Sequence, residues 1–175
     1  MKIIITGHSA GIGLAIYNYF SKDPSNNVIG FSRKTGHNIN NPQKRAEIIE
    51  CSKDADIFVN NACTYIDDSQ LILLRNMFNI WAGQNKTIIN ISSISPAQGI
   101  QNTYSLIKRG VDDFCFSKTF NLPHILNLKP SYVMVDSKRE MIGNQPHMVT
   151  SQVIDILDFC LNGPVKVKSI TFECK

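Results

Sequence analysis

The sequence has no long hydrophobic run. Its uninterrupted apolar stretches are no more than about five residues long, far short of the roughly 20 that a membrane-spanning helix needs, so we expect no transmembrane segment. The chain opens with one lysine, then Ile3–Ile5 and a Thr-Gly turn. This pattern is typical of a buried strand and not of the longer apolar core of a signal peptide. We therefore expect a cytoplasmic protein without a membrane partner.

Cysteine pairs and clustered charges are also missing. The five cysteines are odd in number and scattered, without a Cys-x-x-Cys pair, so neither a disulfide framework nor a metal site is predicted. The 18 Lys and Arg against 14 Asp and Glu give a formal charge of +4, but they form no basic stripe. Nucleic acid is therefore not an expected partner.

The apolar residues are sufficient for one compact domain. Of 175 residues, 43% are hydrophobic, which argues against disorder and predicts a single domain over 1–175. Short β-branched runs alternate with helix-length amphipathic segments, which favours an α/β fold with a doubly wound parallel sheet. The predicted strands are Lys2–Thr6, Asn27–Phe31, Asp56–Asn60, Thr87–Ser92, Ile125–Lys129 and Ser169–Glu173. Helices are predicted around Ile12–Tyr19, Ala46–Glu50, Leu71–Trp81, Asn102–Lys118 and Val149–Leu161.

A glycine-rich turn joins the first strand to the first helix. The segment Thr6–Gly13 reads Thr-Gly-His-Ser-Ala-Gly-Ile-Gly. Glycines at such a turn let backbone amides and the helix N-terminus approach a phosphate. A P-loop would need Lys and then Ser or Thr after the last glycine, and Leu14 follows here. A triphosphate-hydrolysing site is therefore excluded, while a tight turn without a ligand stays open.

The end of the second strand indicates which dinucleotide would bind. In doubly wound dinucleotide folds, an acidic residue at this point holds the ribose hydroxyls of NAD, whereas Arg accommodates the 2′-phosphate of NADP. Here the strand ends in Phe31, followed by Ser32, Arg33 and Lys34 without an acid. The sequence therefore predicts NADP(H), with an ordinary solvated Arg-Lys pair as the alternative.

Four motifs in order resemble those of the short-chain dehydrogenase/reductase family. They are the glycine turn, Asn60-Asn61-Ala62-Cys63, Asn90-Ile91-Ser92-Ser93 and Tyr104-Ser105-Leu106-Ile107-Lys108. The resemblance covers nearly the whole chain and implies a Rossmann-like α/β/α sandwich. Tyr104 and Lys108 are four residues apart on a predicted helix, so they share one face.

The family resemblance implies a role for each matching residue. Tyr104 is expected to be the general acid/base, Lys108 to lower its pKa and hold the nicotinamide ribose, and Ser93, in preference to Ser92, to orient the substrate. The residues expected to contact NADP(H) are Gly7, His8, Ser9, Gly11, Ile12, Gly13, Ser32, Arg33, Asn38, Ile39, Asn61, Ala62, Tyr104, Lys108, Pro130 and Val133.

The chain departs from the family pattern at several positions. Cys63 replaces a glycine, Ser131 replaces the glycine of a Pro-Gly pair, and Val135 replaces a threonine. The position of the family's relay asparagine falls near Asp68 and Ser69, so the relay is altered or lost.

Family members run to roughly 250 residues, so segments must be shortened. We expect the helix after the second strand to be deleted and Asn38-Ile39 to form a residual third strand. The substrate-covering region is reduced to a loop over Ser137–Pro146.

The predicted function is NADP(H)-dependent reduction of a small ketone or aldehyde, or the reverse reaction. The alternative is an NADP(H)-binding regulator or scaffold with weakened catalysis. A homodimer or homotetramer is also expected, because two helices carry more apolar residues than one sheet face should absorb. Those residues are Met77, Phe78, Ile80, Trp81, Val111, Phe114 and Phe116.

Overall fold

A computed structural model describes residues 1–99, 101–134 and 146–174. The strands are β1 (Lys2–Thr6), β2 (Asn27–Phe31), β3 (Ile57–Asn60), β4 (Thr87–Ile91), β5 (His124–Pro130) and β6 (Ser169–Phe172). The helices are α1 (Gly11–Ser21), α2 (Pro42–Ser52), α3 (Ser69–Ile80), α4 (Thr103–Ser117) and α5 (Thr150–Asn162), with one 3-10 turn at Arg33–Thr35.

The six strands form one parallel sheet in the order β2-β1-β3-β4-β5-β6. Alternate side chains of each strand face opposite layers, as Ile4 faces one layer while Ile3 and Ile5 face the other. Helices α2, α3 and α4 cover the first face, and α1 and α5 cover the second. The predicted doubly wound α/β fold is confirmed.

The segment after β2 differs from the prediction of a residual third strand at Asn38-Ile39. These residues form a turn, in which Asn38 accepts backbone hydrogen bonds from Asn40 and Asn41. The Ile39 side chain is buried in the layer under α2 and α3. The burial of Ile39 and the turn at Asn38 account for the sequence pattern of this segment without a strand. The prediction of a third strand here was therefore wrong.

Most of the apolar residues that suggested an oligomer are buried within the chain. Met77, Trp81 and Val111 are fully buried, and Phe78 is 7% exposed. Phe116 is the exception, at 84% exposed. The premise that two helices present a surplus of apolar surface was therefore wrong for most of these residues, because α3 and α4 turn them toward the sheet and toward each other.

No helix within the described residues is both long and apolar enough to cross a membrane.

Three buried asparagines form a ladder across the sheet. Asn60, Asn90 and Asn127 are register partners on β3, β4 and β5, and each is at most 2% exposed. Asn60 Nδ2 donates to Asn90 Oδ1 at 2.9 Å, and Asn90 Nδ2 donates to Asn127 Oδ1 at 2.7 Å. The ladder ends on α4, where Asn127 Nδ2 donates to the Asp112 carboxylate at 2.8 Å. The ladder therefore fixes the strand register beneath α3 and α4.

Replacing the middle asparagine should destabilise the fold. Asn90→Ala leaves the Asn127 carbonyl without its donor and the Asn60 amide without one acceptor, and buried groups left unpaired cost about 1–3 kcal/mol each. We expect urea unfolding to show a loss of about 2–4 kcal/mol. Asn79→Ala, at an exposed position of α3, should change stability by less than about 0.5 kcal/mol. Equal effects of the two variants would contradict this role of the ladder.

Candidate active site

In the glycine turn between β1 and α1, the backbone at Gly7 lies close to the backbone at Gly13. Gly7 has a φ of +74°, a conformation that favours glycine, and its amide donates to Phe31 O at 2.7 Å. A Cβ on Gly13 would lie 2.2 Å from Gly7 O. Helix α1 then begins at Gly11 after Ala10, with no side-chain cap and no acidic residue in its first turn. The first amides of α1 are therefore left to a ligand or solvent.

The Asn60-Asn61-Ala62 segment is tied to the glycine turn through Thr6. The Thr6 hydroxyl donates to Val59 O and accepts from the backbone amides of Asn61 and Ala62, both at 3.0 Å. Asn61 Nδ2 donates to Thr6 O at 3.0 Å. These bonds hold the ends of β1 and β3 together. Asn61 and Ala62, predicted as cofactor contacts, thus lie beside Gly7.

His8 fills the space above Gly30 on β2. A Cβ on Gly30 would lie 2.1 Å from the His8 ring, and the ring centroid of His8 is 5.3 Å from that of Tyr17. The imidazole of His8 therefore packs against Gly30 and Tyr17. Only the backbone of His8 borders the turn. Ser9 follows on the turn and is half-buried.

The residues after β2 form a capped 3-10 turn. The Ser32 amide donates to the Thr35 hydroxyl at 2.9 Å, and Ser32 is 5% exposed. Arg33 begins the turn and is exposed. Its backbone carbonyl accepts the Gly36 amide at 3.1 Å, whereas its guanidinium makes no hydrogen bond or ion pair with any residue in the described ranges. The guanidinium therefore lies at the end of β2 without a carboxylate partner among those residues.

Ser93 and Tyr104 meet at the carboxyl end of β4. The Ser93 hydroxyl accepts the Ser95 amide at 3.1 Å, and it lies near enough to the Tyr104 phenol to act on its pKa. Ser92 is buried, and its hydroxyl has no hydrogen-bond partner among the residues that the structure describes. The second serine of the pair is thus the one that lies beside the tyrosine.

Lys108 is buried beneath this pair. It is 2% exposed, and its Nζ donates to Ile91 O at 2.7 Å and to Gln70 Oε1 at 2.8 Å. The ammonium also lies 5.5 Å from the centre of the Tyr104 ring. The predicted sharing of one helix face by Tyr104 and Lys108 is therefore seen in the structure.

Gln70 is a site residue that the sequence analysis missed. Its side chain is fully buried, and Nε2 donates to Asn60 O and Ile91 O, both at 2.9 Å. Because both amide hydrogens are used on carbonyls, Oε1 faces Lys108. Counting along the chain pointed to Asp68 and Ser69 as the relay position, whereas Gln70 is the residue of α3 that contacts Lys108. Asp68 occupies the N-cap position of α3 without a side-chain cap bond, and the Ser69 amide donates to Asp67 Oδ1 at 3.0 Å.

The loop after β3 brings an aromatic side chain against Tyr104. The ring centroids of Tyr65 and Tyr104 are 5.1 Å apart, and Tyr65 is 59% exposed. Burial is the largest cause that raises the pKa of Tyr104 above its ordinary value, and charge on the neighbouring Cys63 raises it further. The neighbouring Ser93 hydroxyl acts in the opposite direction. The predicted lowering by Lys108 stays a prediction.

The far end of the predicted cofactor cleft is formed by the segment after β5. Pro130 ends β5, and its carbonyl accepts the Ile94 amide at 3.1 Å. Val133 is buried and packs with Met148 and Val153 against Ile12 of the glycine turn. Val135 and most of the predicted Ser137–Pro146 loop lie outside the described residues.

The candidate site residues on turns and loops lie where the parallel strands end. The glycine turn follows β1, Arg33 follows β2, Asn61 follows β3, Ser93 follows β4, and Pro130 ends β5. In open α/β sheets, ligands bind outside the carboxyl ends of the strands. The predicted residues therefore gather at one edge, although Asn38 lies on a turn and the Ile39 side chain points into the core.

Solved structures share this fold. A small-chain dehydrogenase in complex with NADPH has a TM-score of 0.77 and 11% identity, covering 100% of this chain and 96% of its own. The 3-alpha-hydroxysteroid dehydrogenase from Pseudomonas sp. B-0831 complexed with NADH has a TM-score of 0.75 and 14% identity, covering 99% and 95%. A short-chain glucose/ribitol dehydrogenase from Brucella melitensis has a TM-score of 0.72 and 12% identity, covering 98% and 94%.

At this identity the likeness concerns the fold, which is that of the short-chain dehydrogenases/reductases, as the motifs predicted. No family sequence model and no curated protein matches the chain.

The close approach at Gly13 gives a test of the turn. Gly13→Ala would place a Cβ against Gly7 O and Asn61, and such overpacking costs about 1–3 kcal/mol. Gly110→Ala is the matched control, because its nearest neighbour would be Leu71 at 3.4 Å and alanine favours a helix by up to about 1 kcal/mol. Urea unfolding should show destabilisation by the first change and none by the second. A neutral Gly13→Ala would contradict the described turn.

Proposed function

We propose that the protein is an NADP(H)-dependent oxidoreductase that interconverts a ketone or aldehyde and an alcohol. The observation that carries this proposal is the joint placement of Ser93, Tyr104 and Lys108. The Ser93 hydroxyl lies near the Tyr104 phenol and acts on its pKa, and the buried Lys108 ammonium lies 5.5 Å from the centre of the Tyr104 ring. Tyrosine, serine and lysine in this arrangement suit proton exchange with an oxygen atom of a substrate.

The residues at the carboxyl edge fit a dinucleotide. The close contact between Gly7 and Gly13 leaves no room for a Cβ on Gly13. Because the turn has no side chain at this point, its backbone can approach a pyrophosphate. The uncapped first turn of α1 offers amides and the positive end of a helix dipole to phosphate. We expect Asn61, Ala62, Pro130 and Val133 to contact the remainder of the dinucleotide. The nicotinamide would supply or accept the hydride.

The side chains of the site would handle the proton. In carbonyl reduction, the Tyr104 phenol would donate to the substrate oxygen, while the Ser93 hydroxyl would donate a hydrogen bond to the same oxygen and orient it. Lys108 would place a positive charge beneath the developing phenolate. Gln70 would act as a positioning residue, because its amide holds the Lys108 ammonium through an uncharged acceptor.

Arg33 supports NADP(H) as the cofactor. Its guanidinium is exposed at the end of β2, and Lys34 follows it, so two cations are present where NAD-binding folds carry an acid. The neighbouring Ser32 and Thr35 fix the turn from which Arg33 projects. A 2′-phosphate would give Arg33 the anionic partner that no described residue supplies.

Removing the phenol hydroxyl should stop turnover without preventing cofactor binding. General acid catalysis contributes about 100-fold to 10,000-fold, so Tyr104→Phe should lower NADPH oxidation with a panel of aldehydes and ketones by at least about 100-fold. NADPH affinity, measured by fluorescence titration, should stay within about threefold, roughly 0.6 kcal/mol. If the wild-type protein binds NADPH but turns over no carbonyl compound, a cofactor-responsive binding protein is the better interpretation.

The pH dependence should differ between the two directions. The raised pKa of Tyr104 keeps the phenol protonated at neutral pH, so reduction should be nearly independent of pH until the pH approaches that raised pKa. Oxidation of an alcohol needs the phenolate and should become faster as pH rises. Rates of both directions at saturating cofactor check this expectation, and a reduction rate that falls between pH 6 and 8 would contradict it.

The cofactor preference depends on Arg33. A hydrogen bond to a charged group contributes about 1.5–3 kcal/mol, so Arg33→Ala should weaken NADPH binding by about 10-fold to 150-fold. NADH binding should change by less than about threefold. Lys44→Gln, on the helix beyond this turn, is the control and should leave both affinities unchanged. A wild-type preference for NADH would overturn the assignment of NADP(H).

A further inference from the structure

A cavity lies at the edge of the sheet opposite the candidate active site, where the strands begin. It has a volume of about 300 Å³ and is lined by the first residues of β4 and β5, the end of α5 and the connection to β6. Thr87, His124, Lys166 and Lys168 supply its polar side chains, and Leu161 and Val165 supply part of its apolar wall. The proposed oxidoreductase site, at the carboxyl edge, does not use this space.

The cavity concentrates positive charge. None of the described residues that line it is acidic. Lys166 Nζ is hydrogen-bonded to His124 Nε2, and neither Lys166 nor Lys168 makes an ion pair within the described ranges. Burial, followed by the charge of Lys166, lowers the pKa of Lys168. Two ammonium groups therefore lie close enough to repel each other, an arrangement that an anion would relieve.

His124 supplies a second observation. Burial lowers the pKa of its imidazole, and the charges of Lys166 and Lys168 lower it further. Its Nε2 is the partner of the Lys166 ammonium, so Nε2 accepts and Nδ1 carries the proton of the neutral ring. That Nδ1 is buried and has no hydrogen-bond acceptor among the described residues. Burial and the surrounding positive charge thus both favour the neutral form of the histidine.

We propose that this cavity binds the phosphate group of a small molecule, with Lys166 and Lys168 as the cationic ligands. Lysine binds phosphate as a point charge. The volume is at the lower end of small-molecule pockets, which favours a compact phosphorylated compound over a nucleic acid or a protein segment. The wall formed by Leu161 and Val165 would face the apolar part of that compound. The site is independent of the proposed oxidoreductase activity.

The His124 ring gives a local readout of binding. The chain has four histidines, so a His124→Gln variant identifies the His124 signal in an NMR titration. Bound phosphate adds negative charge beside the two lysines, so it should raise the pKa of His124 in the full-length protein. The titration uses inorganic phosphate against chloride at equal ionic strength, and phenyl phosphate tests the apolar wall.

Three variants separate this cavity from the cofactor cleft. The double change Lys166→Gln and Lys168→Gln should weaken phosphate binding at least tenfold. In this variant, provided that the NMR signal of His124 is resolved, phosphate should no longer raise the pKa of His124. Arg33→Ala and Lys44→Gln should leave the effect intact. The proposal is overturned if phosphate leaves the pKa of His124 unchanged in the wild-type protein, if the folded double variant responds equally, or if Arg33→Ala abolishes the response.

Discussion

The buried ammonium of Lys108 is the constraint that organises the candidate active site. A charge that is 2% exposed must be hydrogen-bonded, because burial without partners costs several kcal/mol. Ile91 O at the end of β4 and Gln70 Oε1 on α3 supply acceptors. Lys108 itself lies on α4, so one charge joins a strand and two helices. Tyr104, one turn earlier on α4, is thereby held above the end of β4, where Ser93 follows.

The polar network behind Lys108 continues through the sheet. Gln70 donates to Asn60 O, and Asn60 begins the ladder that passes through Asn90 and Asn127 to Asp112. A carboxylate only accepts hydrogen bonds, so Asp112 sets the direction in which each amide of the ladder points. Buried polar networks of this kind favour one arrangement of a core, although Asn60 Oδ1 has no hydrogen-bond partner among the described residues. The strand register and the position of α4 are in this way coupled to the site.

The sequence was sufficient for the sheet and for the motifs that depend on local spacing. The six apolar or β-branched strands and the strand-turn-helix at Gly7–Gly13 could be predicted because each signal lies within a few residues. The Tyr104–Lys108 pair was indicated by its resemblance to the family's Tyr-x-x-x-Lys motif, and helix periodicity predicted that the two side chains share one face. Gln70 could not be found in this way, since its role depends on where α3 begins relative to β4. Asn38-Ile39 was misassigned because a single buried isoleucine in a turn has the same local pattern as a short strand. The cationic cavity escaped notice because His124 and the two lysines are distant in the sequence and share no motif.

The most direct measurement of the central claim is the fate of the transferred hydrogen. NADPH carrying deuterium at both hydrogen positions of the reactive carbon of the nicotinamide is incubated with the protein and an aldehyde, and the alcohol is analysed by mass spectrometry. A hydride-transfer site predicts one deuterium in the product with the wild-type protein and almost no product with Tyr104→Phe. An alcohol without deuterium, or equal product from both proteins, would contradict the account.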